Sequence, residues 1–276
     1  MSSKPILNIK TSKDSYFIKI IFEIIPSYLT TIHAIFDLSG IIFRGYGSKN
    51  YIMFDFFIPA SRFDEYMCNE RIDLDLNVAT MNSRMKSIKK KHTPLLFYMD
   101  KEDLENKQLN IISYLPNNII DKAAIHLSNA TINVGESFEC DFIIDIPIQF
   151  WQESIKNTTG IDCHRKILMS VKNGELKISA ENDKMYSRGL SYKYSQENNP
   201  DETLTMTFSY VSLFKLQKLG SIIWEDDMLH LHIRKEGSLS ISSSFSSKDD
   251  DDTDEKGSMN IVLCSDELIN KITEKI

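Results

Sequence analysis

The sequence predicts an α+β fold built twice over, and three observations predict it. Strand-like runs rich in Ile, Phe and Tyr, bounded by Gly, Asn and Pro, follow one another through both halves. Only four segments space their apolar residues at helical intervals. Each half then reads strand, helix, several strands, helix, several strands. That period is near half of the 276 residues and far too long for a solenoid repeat. The expected organisation is two similar domains, 1–125 and 140–276, joined by a connecting loop at 126–139.

The first helix runs from Ser12, an N-cap residue type, to just before Pro26, with Phe17, Ile20, Ile21 and Ile24 on one face. The strands "HAIFDLSGIIFRG", "NYIMFDFFIP" and "IDLDLN" follow. A second helix over about 77–91 places Val78, Met81, Met85 and Ile88 on its buried side. "PLLFYMD", "QLNIISYL" and "AAIHLS" complete the first half. The linker "HLSNATINVGESFE" mixes small and polar residues without helical pattern.

The second half opens with "FECDFIIDIP" and a third helix after Pro147, with Phe150, Trp151 and Ile155 spaced along it. "SVKNGELKIS" is a hairpin, because Asn173-Gly174 is the pair a type I′ turn favours. "RGLSYKYS" and "ETLTMTF" lead to a fourth helix over 209–219 carrying Tyr210, Leu213, Leu216 and Leu219. "MLHLHIR", "GSLSISSSF" and "MNIVLC" are the last strands. Between the final two, "SSSFSSKDDDDTDEKGS" (242–258) has nothing to bury and reads as a solvated, mobile acidic loop. The halves share few identities, but Gly40 matches Gly174 and Met81 matches Leu213 at similar offsets.

Composition narrows the function classes. Hydrophobic residues at 42% and charged residues at 26% describe a globular chain. No run reaches the roughly 18 apolar residues of a membrane span, and "MSSKPILNIK" has no apolar signal region, so an intracellular protein is expected. Cys68, Cys140, Cys163 and Cys264 are scattered and read as small buried residues, and the sequons at Asn129 and Asn157 as chance matches. His230 and His232 alternate on one strand face, and Cys163-His164 lies elsewhere, without zinc-site spacing. The Asp249–Asp252 run lacks the EF-hand pattern, since Glu255 stands where that loop needs Gly. No phosphate-binding glycine loop, GxSxG or HExxH occurs, so neither enzyme activity nor a metal or cofactor is expected.

The charge is unevenly placed. The helical windows 13–25, 77–91, 148–157 and 209–219 carry 0, +5, 0 and +2, so the remainder of this −7 chain stands at −14. The second window contains "NSRMKSIKKKH", with Arg84, Lys86, Lys89, Lys90 and Lys91 and no carboxylate. A helix whose outer face is merely solvated usually mixes signs.

The stretch "FDLSGIIFRGYGSKNYIMFDFFIPASRFDEYMCNERIDLDLNVATMNSRMKSI" resembles the first domain of the proliferating cell nuclear antigen family, the eukaryotic and archaeal DNA sliding clamps. The matching features are a strand ending in Asp37, the Ser39-Gly40 turn, the aromatic-rich "FDEYMCNERIDLDLN" and a helix with Met81. The resemblance covers most of 15–225 and implies two clamp domains, helices on one face of antiparallel sheets, and a ring of three identical chains around a central channel. Duplex DNA threads such a channel without sequence specificity, because phosphate contacts carry no sequence information. An acidic exterior keeps DNA from binding outside.

Carried over from the family, the channel cations fall on Lys86, Lys156 and Lys218, with Glu153 a departure from a basic position. Arg84, Lys89, Lys90 and Lys215 join them by helical position, and Lys13 and Lys19 are the candidates in the first helix. The partner-docking pocket falls on Tyr46, Asn50, Tyr51, the loop residues Thr131, Ile132 and Val134, and the C-terminal wall Val262, Cys264 and Ser265. Tyr46 and Tyr51 read equally well as hairpin surface aromatics. Cys264-Ser265 replaces the family's Ala-Pro, and "DELINKI" extends beyond it, which puts partner preference in doubt and points to a diverged lineage, viral lineages included.

Subunit contacts are expected along two edge strands, at Leu109, Ile111 and Ser113 of one and Leu190, Tyr192 and Tyr194 of the other. The resemblance thus implies a polymerase processivity factor that tethers replication and repair enzymes. Its partners are double-stranded DNA, DNA polymerase, other clamp-binding proteins and a clamp loader, met in the nucleus or at a cytoplasmic replication site. The alternative is a clamp-fold protein in a non-replicative role, such as a viral late transcription factor or a checkpoint clamp subunit.

Overall fold

The computed structural model describes residues 4–47, 51–88, 93–127, 140–158, 166–182, 186–194, 203–223, 228–245 and 255–274. The chain divides into two compact units. One gathers Met1–Tyr46, Phe54–Gly135 and Phe245–Ser258, the other Gly47–Met53, Glu136–Ser244 and Met259–Ile276.

The first half of the chain supplies β1 (Leu7–Thr11), α1 (Ser15–Ile24), β2 (Thr31–Asp37), β3 (Gly40–Tyr46), β4 (Ile52–Pro59), β5 (Glu65–Cys68), β6 (Ile72–Asn77), α2 (Val78–Met85), β7 (Leu95–Met99), α3 (Lys101–Glu105), β8 (Gln108–Leu115) and β9 (Ile119–His126). Antiparallel strands run β5-β1-β7-β8-β9 in one sheet, and β6, β2, β3 and β4 are neighbours in another.

The second half supplies β10 (Phe142–Pro147), α4 (Ile148–Thr158), β11 (Lys166–Lys172), β12 (Glu175–Asn182), β13 (Tyr186–Lys193), β14 (Leu204–Ser209), α5 (Tyr210–Phe214), a 3-10 segment (Lys215–Ser221), β15 (Met228–Ile233), β16 (Ser238–Phe245), β17 (Gly257–Cys264) and α6 (Asp266–Thr273). Here β13-β12-β11-β14 form a sheet, and β10, β15, β16 and β17 are neighbours. With β5, α3 and α6 set aside, the two series match element for element. Strand order repeats too: β1-β7-β8-β9 corresponds to β10-β15-β16-β17, and β6-β2-β3-β4 to β14-β11-β12-β13. The expected α+β duplication is the architecture found.

Each unit buries its helices by the predicted stripe. In the first, Phe17, Ile18, Ile20, Ile21, Phe22 and Ile24 of α1 are buried, and α1 packs on α2. Phe22 meets Phe43 of β3 edge-on at 5.3 Å between centroids. Val78, Met81, Met85 and Ile88 are fully buried, as their spacing predicts. In the second unit Trp151 of α4 is fully buried, and its indole N–H donates to the Leu216 carbonyl at 3.3 Å. That bond ties α4 to the 3-10 segment. The Asn173-Gly174 turn has positive φ at both residues, 49° and 74°, as a type I′ turn requires. At the corresponding hairpin Gly40 has φ 148°, and a Cβ there would run into the Ile58 carbonyl oxygen.

Several boundaries differ from expectation. The first helix starts at Ser15 rather than after Ser12, which lies in the bend before it, and Asp14 in the cap position turns its carboxylate to Arg62. The second ends at Met85 and continues only as turns through Ile88. The fourth is one α-helical turn followed by a 3-10 segment, whose three-residue period suits the buried Leu213, Leu216 and Leu219. Two short helices were not anticipated. The Asp100–Asp103 capping box starts α3, and Ser265 caps α6.

Candidate nucleic-acid interface

The candidate cations are held at helix ends. In α2 the Asn77 side chain accepts the Thr80 N–H at 2.9 Å and starts the helix. Arg84 sits in its last turn and Lys86 directly after it, both exposed. Lys156 occupies the last turn of α4 and is exposed, and Lys218 lies in the last turn of the 3-10 segment, half-buried. A cation near a helix C-terminus is favoured by the helix dipole, so local stability and a positive surface ask for the same placement here. Glu153 is exposed on α4, one turn before Lys156.

The remaining members are less available. Lys19 is half-buried, lies 3.6 Å from Glu23 and 5.4 Å above the Tyr16 ring. Lys215 is half-buried over Phe214 at 5.6 Å, and Phe214 in turn packs on Tyr210 with tilted rings at 5.1 Å. Lys13 is exposed just before α1. Lys89 and Lys90 lie outside the described residues.

Of the docking residues, Asn50, Thr131, Ile132 and Val134 fall outside the described residues. Tyr46 ends β3 half-buried. Burial pushes its hydroxyl pKa up against the nearby Arg44, and the hydroxyl has no hydrogen-bond partner among the described residues. In the second unit Tyr51 and the end of β17 come together. The Cys264 N–H donates to the Tyr51 carbonyl at 2.9 Å, and the Tyr51 hydroxyl lies 3.1 Å from Thr273 Oγ1. Val262 and Cys264 are half-buried, and burial pushes the Cys264 thiol up. Ser265 corrects its expectation. It is fully buried and its hydroxyl accepts the Leu268 N–H, so it starts a helix instead of lining a surface.

The first expected subunit edge is corrected as well. Leu109, Ile111 and Ser113 lie on β8, which is paired with β7 on one side and β9 on the other, and all three are buried. The edge strand on this side of the sheet is β9, where Ile119 and Ile120 are 55% and 52% exposed. Both β8 and β9 are apolar in sequence, and only the sheet order distinguishes them. The second expected edge is at the margin of its sheet. It is β13, carrying half-buried Leu190 and Tyr192, with Tyr194 just beyond; Tyr192 packs on Phe150 with tilted rings at 5.3 Å.

The histidines are satisfied by neighbours. His230 Nδ1 lies 2.7 Å from Asp145 Oδ1, and His232 Nε2 lies 2.8 Å from the Ser242 hydroxyl. Among the described residues no three His, Cys, Asp or Glu side chains gather as a metal site would require. Nor is any described helix long and apolar enough to cross a membrane.

Comparison with solved structures decides the fold. The chain superposes on the PCNA2–PCNA3 complex of Sulfolobus tokodaii with a TM-score of 0.74 at 16% identity, over 94% of this chain and 99% of that one. It superposes on proliferating cellular nuclear antigen of Entamoeba histolytica with a TM-score of 0.73 at 15% identity, over 95% and 99%. The fold is that of proliferating cell nuclear antigen. In sequence, the chain is 25% identical over 160 residues to a protein named "Probable DNA polymerase sliding clamp 1" from Paramecium bursaria Chlorella virus 1. The match takes in 57% of this chain and 59% of that relative's length. No protein-family model matches the sequence. The fold is thus matched at 15–16% identity. Its framework is the duplicated strand order and the buried helix stripes described above.

Proposed function

We propose that this chain is a diverged DNA sliding clamp of the proliferating cell nuclear antigen family. In this reading it encircles duplex DNA without sequence specificity and tethers a polymerase and other replication and repair enzymes. The observation that carries the reading is the clamp fold with Arg84, Lys86 and Lys156 exposed at helix ends and Lys218 half-buried at the end of the 3-10 segment, in a chain whose net charge is −7. Arg84, Lys86, Lys156 and Lys218 would face the phosphates, with Lys13, Lys19, Lys89, Lys90 and Lys215 beside them. The sequence likeness to a viral sliding clamp points the same way. The place of action is then wherever the DNA is copied, the nucleus or a cytoplasmic replication site. Loading by a clamp loader onto nicked circular DNA tests the reading. Retention should be lost when the circle is linearised, because a ring slides off an open end. Equal retention on both forms would refute it.

The reading assigns assembly to two sheet-edge strands, β9 and β13. An exposed apolar edge such as β9 is an aggregation hazard unless something pairs with it. Pairing β9 of one copy with β13 of the next is a heterologous contact, and three such contacts close a ring. Ile120→Lys should therefore turn a trimer into folded monomers by light scattering at micromolar concentration, with the circular dichroism spectrum retained and the melting temperature no longer dependent on protein concentration. A wild-type chain that is monomeric under those conditions would remove the homotrimer, and a ring completed only by a second chain type would replace it.

A further inference from the structure

We propose that α6 is a detachable strap over the free edge of β14, and that this edge is a docking site for an extended peptide segment led by an acidic residue. β14 is the last strand of its sheet, with β11 on one side and α6 packed on the other. The Thr207 N–H, which points away from β11, donates to Glu267 Oε2 at 3.0 Å. Strand alternation turns the Thr205 N–H the same way. A sheet edge of this kind is a template for adding a strand, and a partner that adds one satisfies the same donors with its carbonyl oxygens.

The strap is weakly seated, and the reason is its burial. α1, α2 and α4 each bury an apolar stripe, whereas no residue of α6 is buried. Among the described residues, Leu268 and Ile269 are half-buried, and polar contacts join Glu267 to the Thr207 N–H, Asp266 to Lys166 at 3.5 Å, and Thr273 to the Tyr51 hydroxyl. The Lys166 side chain is 69% exposed, and an ion pair so open to water contributes little. The anchor behind the helix is firm by contrast. Ser265 is buried and its N–H donates to the Gly237 carbonyl at 2.8 Å. Gly237 leaves the room for this, since a Cβ there would run into the Ser265 hydroxyl. The chain can open beyond Ser265 without disturbing β17, as segments with little buried surface do.

The chemistry of the occupant is read from what α6 now supplies. It brings one carboxylate to a strand N–H and a second to Lys166. Burial opposes ionisation of Glu267, yet its donors, Thr207 foremost, hold the carboxyl below the usual carboxylate range. The edge thus favours an anion at this end. An incoming strand with an acidic leading residue replaces both contacts and adds backbone hydrogen bonds along β14.

The test compares the full chain with a chain ending at Ser265. The probe is a labelled peptide Asp-Glu-Thr-Val-Thr-Val-Thr, with Asn-Gln in place of the leading acids as its control. The shortened chain should bind the acidic peptide at least about tenfold tighter than the full chain does, and tighter than it binds the control. Lys166→Glu should abolish that preference. Equal binding by the two chains, or indifference to the leading acids, overturns the proposal. Should the shortened chain fail to fold, Glu267→Gln in the full chain decides. Hydrogen exchange at Thr207 should then quicken roughly tenfold, with peptide binding gained. Unchanged exchange overturns it.

Discussion

Arg62→Leu is expected to destabilise the first unit by about 3–5 kcal/mol, the cost of leaving one member of a buried ion pair uncompensated. Arg62 and Asp14 have side chains only 3% and 4% exposed. The guanidinium donates through Nε to Asp14 Oδ2 at 2.9 Å and through Nη2 to Oδ1 at 2.7 Å. It also lies 5.6 Å from the Phe245 ring, which stacks on Phe17 of α1 at 3.8 Å. One side chain therefore joins the start of α1, the turn after β4 and the end of β16. The expected drop in melting temperature is about 10 °C for a chain of this size. The double variant Asp14→Leu with Arg62→Leu should recover most of the loss, since two apolar residues leave no buried charge behind. A single variant within about 1 kcal/mol of the parent would show that water reaches Asp14.

If the chain is the sliding clamp proposed, reversing Arg84, Lys86, Lys156 and Lys218 to glutamate is expected to weaken duplex DNA binding at least about a hundredfold at low salt. Each lost phosphate contact removes roughly 0.9 from the slope of log affinity against log salt, so the slope should flatten by about 3–4. Arg84, Lys86 and Lys156 are exposed and lie outside the buried stripes, so assembly and melting temperature should change little. Loss of assembly together with DNA binding would mean that these helix faces meet protein, not phosphate. An unchanged salt slope would mean that DNA is held elsewhere.

The contrast between these two predictions shows where the sequence was legible. The cations are visible as a local excess on periodic segments, and spacing alone gives the buried face of α2 and, in α4, Trp151 and Ile155 but not the half-buried Phe150. The Arg62–Asp14 pair was not visible, because its members are 48 positions apart and neither lies in a motif. The sheet edge was assigned to β8 although β9 holds it, since both strands are apolar and an edge is a property of pairing. The role of Ser265 was missed for a similar reason. "CSDELINKI" carries a capping residue followed by two acids, a readable helix start, whereas the family resemblance places this position on a docking surface.

By itself, the sequence determined the elements and their repetition. Helical and alternating periods, the Asn173-Gly174 turn and the glycine at 40 are local signals, written within a few residues of where they act. It also determined the sign of the helices, since charge is counted without knowing the fold. Tertiary structure alone decided which strands are edges, which side chains become buried partners, and that residues 47–53 cluster with the second half of the chain while 245–258 cluster with the first. The physical reason is the range of the interactions. Periodicity and capping are set between near neighbours, whereas strand order and ion pairing are settled by contacts among segments far apart in the chain, which no short window of sequence contains.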